Sequence, residues 1–130
     1  MAVNWLAVIA AALSSFVLGG IWYSALFAKP WMKAAGLSEE QVRNGNPAII
    51  FGGSFVLALI ASATFAMFLG PQVTALEGTL YGLCAGAAWV ATSFGSTYLF
   101  EHRPMSLFLI NGGYRTLQFT LIGLILGAWR

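Results

Sequence analysis

The sequence contains no aspartate, and its only acidic residues are the glutamates Glu39, Glu40, Glu77 and Glu101. Charged residues make up 8% of the 130 residues, whereas hydrophobic residues make up 59%. An average soluble domain is about 25% charged. The scarcity of charge therefore argues against an ordinary soluble domain and indicates a protein that lies in a lipid bilayer.

Cysteine and histidine occur once each, as Cys84 and His102. A single cysteine excludes an intramolecular disulfide. Because a tetrahedral metal site takes three or four protein ligands, these two residues cannot form one within a single chain. A Ser/His/Glu catalytic set would depend on His102 at the edge of a loop. We therefore expect a protein that is not an enzyme and that carries no metal or other cofactor.

Long apolar stretches are what the sequence has in abundance. Crossing roughly 30 Å of hydrocarbon takes about 20 apolar residues in a helix. Four such stretches lie between polar segments, at about residues 3–28, 47–70, 76–100 and 106–129. The first lacks the basic start of a signal peptide and is longer than a signal core, so we expect it to be retained. The predicted fold is an all-α membrane protein, one domain built as a four-helix transmembrane bundle.

The basic residues predict the orientation of this bundle. Lys29, Lys33 and Arg43 lie between the first two stretches and Arg103 lies between the last two, whereas Arg130 lies on the opposite side. Cytoplasmic loops carry an excess of lysine and arginine. We therefore expect both of these loops in the cytoplasm and both termini outside. The net charge of +2 is explained by these flanking residues and gives no reason to expect a nucleic-acid partner.

The first cytoplasmic loop, AKPWMKAAGLSEEQVRNGNP, contains helix signals of its own. Pro30 can begin a short helix that Gly36 would end. Ser38 followed by Gln41 matches a capping box. Three apolar residues would anchor such a segment along the membrane surface, namely Trp31, Met32 and Leu37. The sequence thus predicts a short interfacial helical segment, with an irregular solvated loop as the alternative.

Small residues recur at every fourth position within the predicted spans. Helices in lipid associate through such residues, which let their backbones approach closely. The stripe in the third span is Gly78, Gly82 and Gly86, and the stripe in the second includes Ser54, Ala58 and Ser62. Most of this pattern predicts packing within one bundle. The surplus of stripes motivates the hypothesis that one of them faces a second copy of the chain.

The fourth span carries a short polar face. Asn111, Tyr114, Arg115 and Gln118 are spaced three and four residues apart, which places them on one side of a helix. An arginine in the middle of a membrane costs from about 2.5 to more than 10 kcal/mol unless it faces protein or water. This face is therefore expected to point into the protein.

The partner of Arg115 is not determined by the sequence. The groups expected nearest to its head are hydroxyls of Tyr23, Ser93 and Ser96, with Glu101 at the cytoplasmic end of the third span. One interpretation is a structural clasp in which Glu101, hydroxyls and backbone carbonyls satisfy the charge. The other is a site for an anionic ligand or lipid headgroup, or a water-filled path. Because the outer part of the fourth span, LIGLILGAW, is entirely apolar, a pocket open to the cytoplasm is favoured over a pore.

Several motifs together resemble a known family. These are NWLAV, GGIWYS, GLSEE followed by GNPAIIFG, LFEHRP, FLINGGY and LGAWR, and they resemble the bacterial membrane family called domain of unknown function 1761. The resemblance spans nearly the whole chain. It implies a small four-span protein of the bacterial inner membrane, without established activity or catalytic residues. It also implies that the family pattern includes Trp22, Tyr23, Asn46, Pro47, Glu101, Arg103, Pro104, Asn111 and Tyr114.

Two classes of function remain open at this point. The first is a homo-oligomeric protein whose cytoplasm-facing pocket around Arg115 binds or passes a small anionic or amphiphilic molecule, or a lipid. The second is a non-catalytic accessory subunit that packs on other membrane proteins through its small-residue stripes, within a larger complex. In both classes membrane lipids surround the protein.

Overall fold

The computed structural model describes residues 3–129 of the chain, so that Met1, Ala2 and Arg130 lie outside the described part. The regular secondary structure of that part is entirely helical. The all-α prediction is therefore confirmed for the described residues, whereas the charge that the topology prediction takes from Arg130 falls outside them.

The helices follow one another in chain order with short connections. They are α1 (Trp5–Gly20), a π-helical turn π1 (Ile21–Leu26), α2 (Ala28–Ala35), α3 (Glu39–Arg43), α4 (Pro47–Leu69), α5 (Ala75–Cys84), a second π-helical turn π2 (Ala85–Ala91), α6 (Thr92–Phe100) and α7 (Met105–Ala128). Helix α1 continues through π1, and α5, π2 and α6 are consecutive over residues 75–100. This gives four long helical segments, whose ends lie within two residues of the predicted ones.

Side chains just before the long helices satisfy the first free backbone N–H groups. Asn46 accepts hydrogen bonds from the N–H groups of Ala48 and Ile49, at 3.0 and 3.5 Å, and Pro47 occupies the first turn of α4. Thr74 and Glu77 form a reciprocal capping box at the start of α5. Such caps each contribute about 1 kcal/mol, and they fix where the helices begin.

The first loop forms two short helices, and the irregular alternative is wrong. Helix α2 begins at Ala28, two residues before Pro30, and ends where Gly36 takes a left-handed φ of 74°. Ser38 and Gln41 form the predicted capping box, with hydrogen bonds of 3.1 and 2.8 Å. The guanidinium of Arg103 donates to the carbonyl of Ala35 over 3.2 Å. We call the end of the molecule where these groups lie the α2 end, and the opposite end the Trp129 end.

Helix α7 lies between α1 and the long segment of residues 75–100, while α4 packs mainly on α1. Neighbouring long segments run antiparallel. At the Trp129 end the side-chain amide of Asn4 donates to the carbonyl of Trp129 over 3.2 Å. Apolar side chains of α1, α4, π2 and α7 meet in one core, which contains Ala7, Val8, Ala11, Phe65, Ala85, Ile122 and Leu126.

The glycine stripe of α5 and π2 packs directly against the backbone of α7. A Cβ atom on Gly78 would overlap the carbonyl of Gly123, and one on Gly82 would overlap the carbonyl of Phe119. A Cβ on Gly86 would lie 2.7 Å from the Cα of Thr116. Without side chains at these positions the two helices come into backbone contact. The glycine stripe therefore mediates helix packing within the chain.

Only some of the small residues of α4 pack against other helices of the chain. Ala58 and Ser62 are buried, and α4 packs mainly on α1. Ser54, one turn nearer the α2 end, is exposed. The predicted stripe therefore packs within the chain from Ala58 onward, and Ser54 does not take part in that packing.

Two helical stretches are long and apolar enough to cross a membrane within the described residues, Trp5–Leu26 and Pro47–Leu69. Helix α7 has 24 residues, but Asn111, Arg115 and Gln118 lower its mean hydropathy. Large apolar side chains also cover the surface: Ile49, Leu57, Leu76, Leu99 and Phe100 are each more than two-thirds exposed. Soluble monomers rarely expose extensive apolar surface. The helices and this surface indicate association with a membrane.

Candidate functional site

The polar face of α7 lies near the middle of that helix. At 1.5 Å per residue, Arg115 is about 15 Å from the start of α7 and about 20 Å from its end. Tyr114 is only 8% exposed and Gln118 only 4%, whereas Arg115 and Asn111 are partly buried. The polar face thus points into the protein, as predicted.

Both π-helical turns lie beside this polar face. On one side, the indole Nε1 of Trp22 in π1 donates to the carbonyl of Ile110 over 2.9 Å, and the next residue, Tyr23, also contacts α7. On the other side, Gly86 in π2 lies against the backbone of Arg115 and Thr116. π-Helical turns are rare in proteins, and many of those that occur lie at functional sites. Here each of them contacts α7 close to Arg115.

Asn111 joins three helical segments through its side-chain amide. The hydroxyl of Tyr23 donates to Oδ1 of Asn111 over 2.5 Å, and Nδ2 of Asn111 donates to the hydroxyl of Tyr98 in α6 over 2.7 Å. One turn farther along α7, the hydroxyl of Tyr114 donates to the carbonyl of Ser15 over 3.0 Å. The polar groups on the α2 side of Arg115 therefore bind one another.

Arg115 has neutral and aromatic partners. Its Nη1 donates to Oε1 of Gln118 over 2.9 Å. Its Cζ lies 4.9 Å from the ring centroid of Tyr114 and 5.6 Å from that of Phe94, which are cation–π distances. In the part of the chain that the structure describes, the ion pairs are Arg43–Glu39 and Arg103–Glu101. No carboxylate of that part neutralises Arg115.

The ion pair that the sequence allowed between Glu101 and Arg115 is not formed. Glu101 directly follows α6, in a turn where His102 has a positive φ of 58°. This turn brings Arg103 to Glu101, with Nε and Oε1 3.2 Å apart, and both side chains are about half exposed. Glu101 therefore belongs to the α2 end and not to the polar face of α7.

Ser93 and Ser96 are likewise not brought to Arg115. Both are exposed, and the hydroxyl of Ser93 donates to the carbonyl of Trp89 in its own helix over 2.6 Å. Phe94 and Tyr98 occupy the positions that face α7 instead. Of the predicted site residues, the structure assembles Arg115, Asn111, Tyr114, Gln118 and Tyr23, and leaves out Ser93, Ser96 and Glu101.

The role of Phe94 and Tyr98 was missed because π2 changes the helical register. In an ideal α-helix, each step of four residues moves the side chain roughly 40° around the helix axis. Five such steps separate Gly78 from Tyr98, so Tyr98 would lie roughly 200° from the face that Gly78 occupies. The wider π turn removes this drift: contacts with α7 come from Gly82, Gly86, Ala91 and Gly95, a spacing of four, five and four. Continued beyond Gly86 in steps of four residues, the repeat of the glycine stripe reaches Phe94 and then Tyr98. This repeat is the sequence signal that could have identified both aromatics.

This arrangement suits the binding of an anion. A guanidinium has five N–H donors, and one of them is directed to Gln118. The rings of Tyr114 and Phe94 contact the guanidinium without accepting a hydrogen bond in its plane, so within the described residues its other N–H donors remain available. Carboxylate and phosphate groups accept two parallel hydrogen bonds from that plane. The described residues contain no group of three or more histidine, cysteine, aspartate or glutamate side chains that could hold a metal ion.

The described residues define a small all-helical protein with a membrane-type surface and, midway along α7, an arginine that none of their carboxylates neutralises. The family model described as "Protein of unknown function (DUF1761)" matches residues 6–127. The chain belongs to this family, as its motifs predicted. No curated protein and no solved structure matches the chain.

Proposed function

We propose that the protein is a four-helix integral membrane protein that binds an anionic amphiphile or lipid through Arg115. The observation that carries the proposal is the position of a permanent positive charge at mid-helix, with no carboxylate of the described residues beside it. A charge in that position is costly and marks a functional site by default. A bound anion would neutralise it.

The membrane placement rests on the four antiparallel segments of about equal length. The polar residues of the fourth segment are consistent with a membrane helix, because they face protein. In the third segment, the exposed hydroxyls of Ser93 and Thr97 donate to backbone carbonyls of their own helix. The basic residues Lys29, Lys33, Arg43 and Arg103 all belong to the connections at the α2 end, so this end is cytoplasmic in the proposal. Both termini are then outside, and α2 and α3 lie at the inner surface of a bacterial cytoplasmic membrane.

The proposed site is polar on its cytoplasmic side. Tyr23, Asn111 and Tyr98 lie between Arg115 and the α2 end and give that side a polar character. Beyond Gln118, toward the Trp129 end, α7 continues with the apolar residues of LIGLILGAW. A one-sided site of this kind favours binding over passage. Phenols, amides and aromatic rings surround the guanidinium, and these favour binding over catalysis.

The experiment that tests the proposal compares a fatty acid with the fatty alcohol of equal chain length. Native mass spectrometry of the purified protein would measure both affinities for the wild type and for Arg115→Gln. We expect the wild type to bind the acid at least tenfold more tightly than the alcohol, and Arg115→Gln to lose that difference. Arg103→Gln, which removes an exposed cation at the α2 end, is the matched control. Equal binding of acid and alcohol by the wild type would refute the proposal.

A second candidate function is association with another copy of the chain or with another membrane protein. It is favoured by the N-terminal half of α4, where Gly52, Gly53 and Ser54 are exposed. No atom outside the local helix backbone lies within 4 Å of a Cβ built on either glycine. Close helix contacts in lipid form at such positions. Native mass spectrometry in several mild detergents would test it: Gly53→Leu should dissociate a homo-oligomer, and a uniformly monomeric wild type would count against self-association.

A further inference from the structure

We propose that the ligand is a single-chain carboxylate amphiphile of the fatty-acid class, whose alkyl chain lies in a groove between α4 and π2. This inference rests on the function proposed above and names the chemical class of its ligand. The carboxylate binds Arg115, and the alkyl chain runs from there toward the Trp129 end. The ligand reaches the site from the side, out of the surrounding lipid.

The groove has a volume of about 390 Å³ and is open along one side. Its walls include Ala61, Phe65 and Phe68 of α4, Trp89 and Val90 of π2, and Phe119 of α7. The hydroxyl of Thr64, which also lines it, donates to the carbonyl of Ile60 in its own helix over 2.8 Å. This hydroxyl is therefore already satisfied. The groove offers a ligand an almost wholly apolar surface.

The groove leads toward the guanidinium of Arg115. On α7, Phe119 lines the groove and Arg115 lies one turn nearer the α2 end, on the same side of the helix. On the facing segment, Val90 lines the groove and Phe94 lies one turn farther along. The ring of Phe94 is the one that contacts the guanidinium, at 5.6 Å. The sides of the groove formed by α7 and by the segment with π2 therefore continue from its apolar lining to the guanidinium of Arg115.

The groove is open because α4 and π2 pack on different neighbours. Helix α4 is held mainly by α1, and π2 is held by α7. The two meet through aromatic side chains, with the ring centroids of Phe68 and Trp89 6.2 Å apart. Trp89 remains 62% exposed. A side opening lined by such rings faces lipid in the proposed bundle, so an alkyl chain can enter it without passing through water.

Charge and size together favour a carboxylate with one alkyl chain. Arg115 supplies a single positive charge, since the other basic residues of the described part belong to the connections at the α2 end. One carboxylate matches this charge, and its two oxygens match the guanidinium edge. The groove volume is at the lower end of the range for small-molecule sites, about 300–1,000 Å³. It suits one alkyl chain better than the two chains of a phospholipid.

The test uses hexadecanoic acid with a photoreactive diazirine midway along its alkyl chain, added to the full-length wild-type protein in phosphatidylcholine nanodiscs. After irradiation, peptide mass spectrometry locates the labelled residues. We expect labels within residues 61–68 and 85–90. Unlabelled hexadecanoic acid should compete for labelling at least tenfold better than hexadecanol or hexadecyl phosphate. Labels distributed evenly over lipid-facing residues would overturn the proposal, and so would stronger competition by hexadecyl phosphate.

Two tryptophan variants of α4 separate this inference from the proposed function. Ala61→Trp fills the groove and should weaken binding of hexadecanoic acid at least tenfold, while Val56→Trp, an exposed position outside the groove, should leave it unchanged. If acid is preferred over alcohol and Arg115→Gln removes the preference, but Ala61→Trp binds as the wild type does, the groove assignment is wrong and the proposed function stands. If acid and alcohol bind equally, the proposed function itself fails.

Discussion

The guanidinium of Arg115 donates a 2.9 Å hydrogen bond to the side-chain amide of Gln118, one turn farther along α7. An amide orients the guanidinium but does not neutralise it. In the proposed membrane bundle this leaves a net positive charge, which an anion of the right shape can balance. Gln118 is thus a positioning residue in the proposed site, and it offers a direct way to change the charge of that site.

The substitution Gln118→Glu supplies an internal counter-ion of almost the same shape. Because the new carboxylate takes the place of the proposed ligand, we expect affinity for hexadecanoic acid to fall at least tenfold. Affinity for hexadecanol should stay the same. Gln118→Leu, which removes the hydrogen bond without adding charge, should retain a preference for the acid. Native mass spectrometry of the three proteins measures this, and undiminished acid binding by Gln118→Glu would show that the ligand does not compete for Arg115.

Asn111 is expected to contribute more to stability than either tyrosine that it binds. Hydrogen bonds between membrane helices average about 0.6 kcal/mol and reach about 1.7 kcal/mol. Tyr23→Phe and Tyr98→Phe each remove one hydrogen bond, whereas Asn111→Ala removes both. In the Asn111→Ala background, Tyr98→Phe should therefore cost almost nothing. Reversible unfolding in mixed micelles measures these free energies. Additive effects of the two substitutions would mean that the 2.7 Å contact does not stabilise the protein.

Gly82→Leu should separate α5 from α7. Its side chain would have to occupy the space of the Phe119 carbonyl, and backbone atoms there cannot move aside cheaply. Overpacking of this kind costs about 1–3 kcal/mol or more. Gly20→Leu is a matched control for stability, since the space beside Gly20 is open. Thermal unfolding monitored by size-exclusion chromatography should show a large loss for Gly82→Leu and little change for Gly20→Leu. Equal melting temperatures would contradict the backbone contact.

The proposed orientation can be tested with single cysteines in the two kinds of connection. Cys84 is the natural cysteine, so Cys84→Ala provides a cysteine-free background. In intact cells, a membrane-impermeant maleimide should label the Gln72→Cys variant, because residues 71–74 are outside in the proposal. The Ser38→Cys variant should be labelled only after permeabilisation. The reverse pattern would invert the orientation, and equal labelling of both in intact cells would indicate mixed insertion.

The sequence predicted the helices well because their ends are determined locally. The Ser38–Gln41 box and Gly36 act within a few residues of themselves, and the structure places them as predicted. The Asn46 cap before Pro47 is equally local. The polar face of α7 could also be predicted, because it depends only on the helical spacing of Asn111, Tyr114, Arg115 and Gln118. These features need no knowledge of neighbouring helices.

The partners of that face could not be predicted in full, because they depend on the register between helices. The π2 turn inserts one residue into the contact line along α7, and this brings Phe94 and Tyr98 to the site in place of Ser93 and Ser96. Glu101 was misplaced for a different reason. Its nearest cation is Arg103 in the same turn, and that local pair forms in preference to a distant one.

The central claim is that an anion from outside the chain neutralises Arg115. The most direct measurement is a structure of the wild-type protein determined in lipid nanodiscs that contain hexadecanoic acid. The account predicts an anionic head within about 2.7–2.9 Å of the guanidinium nitrogens, with an alkyl chain between α4 and π2. Finding Arg115 paired with a carboxylate of its own protein, or with Gln118 and water alone, would contradict it.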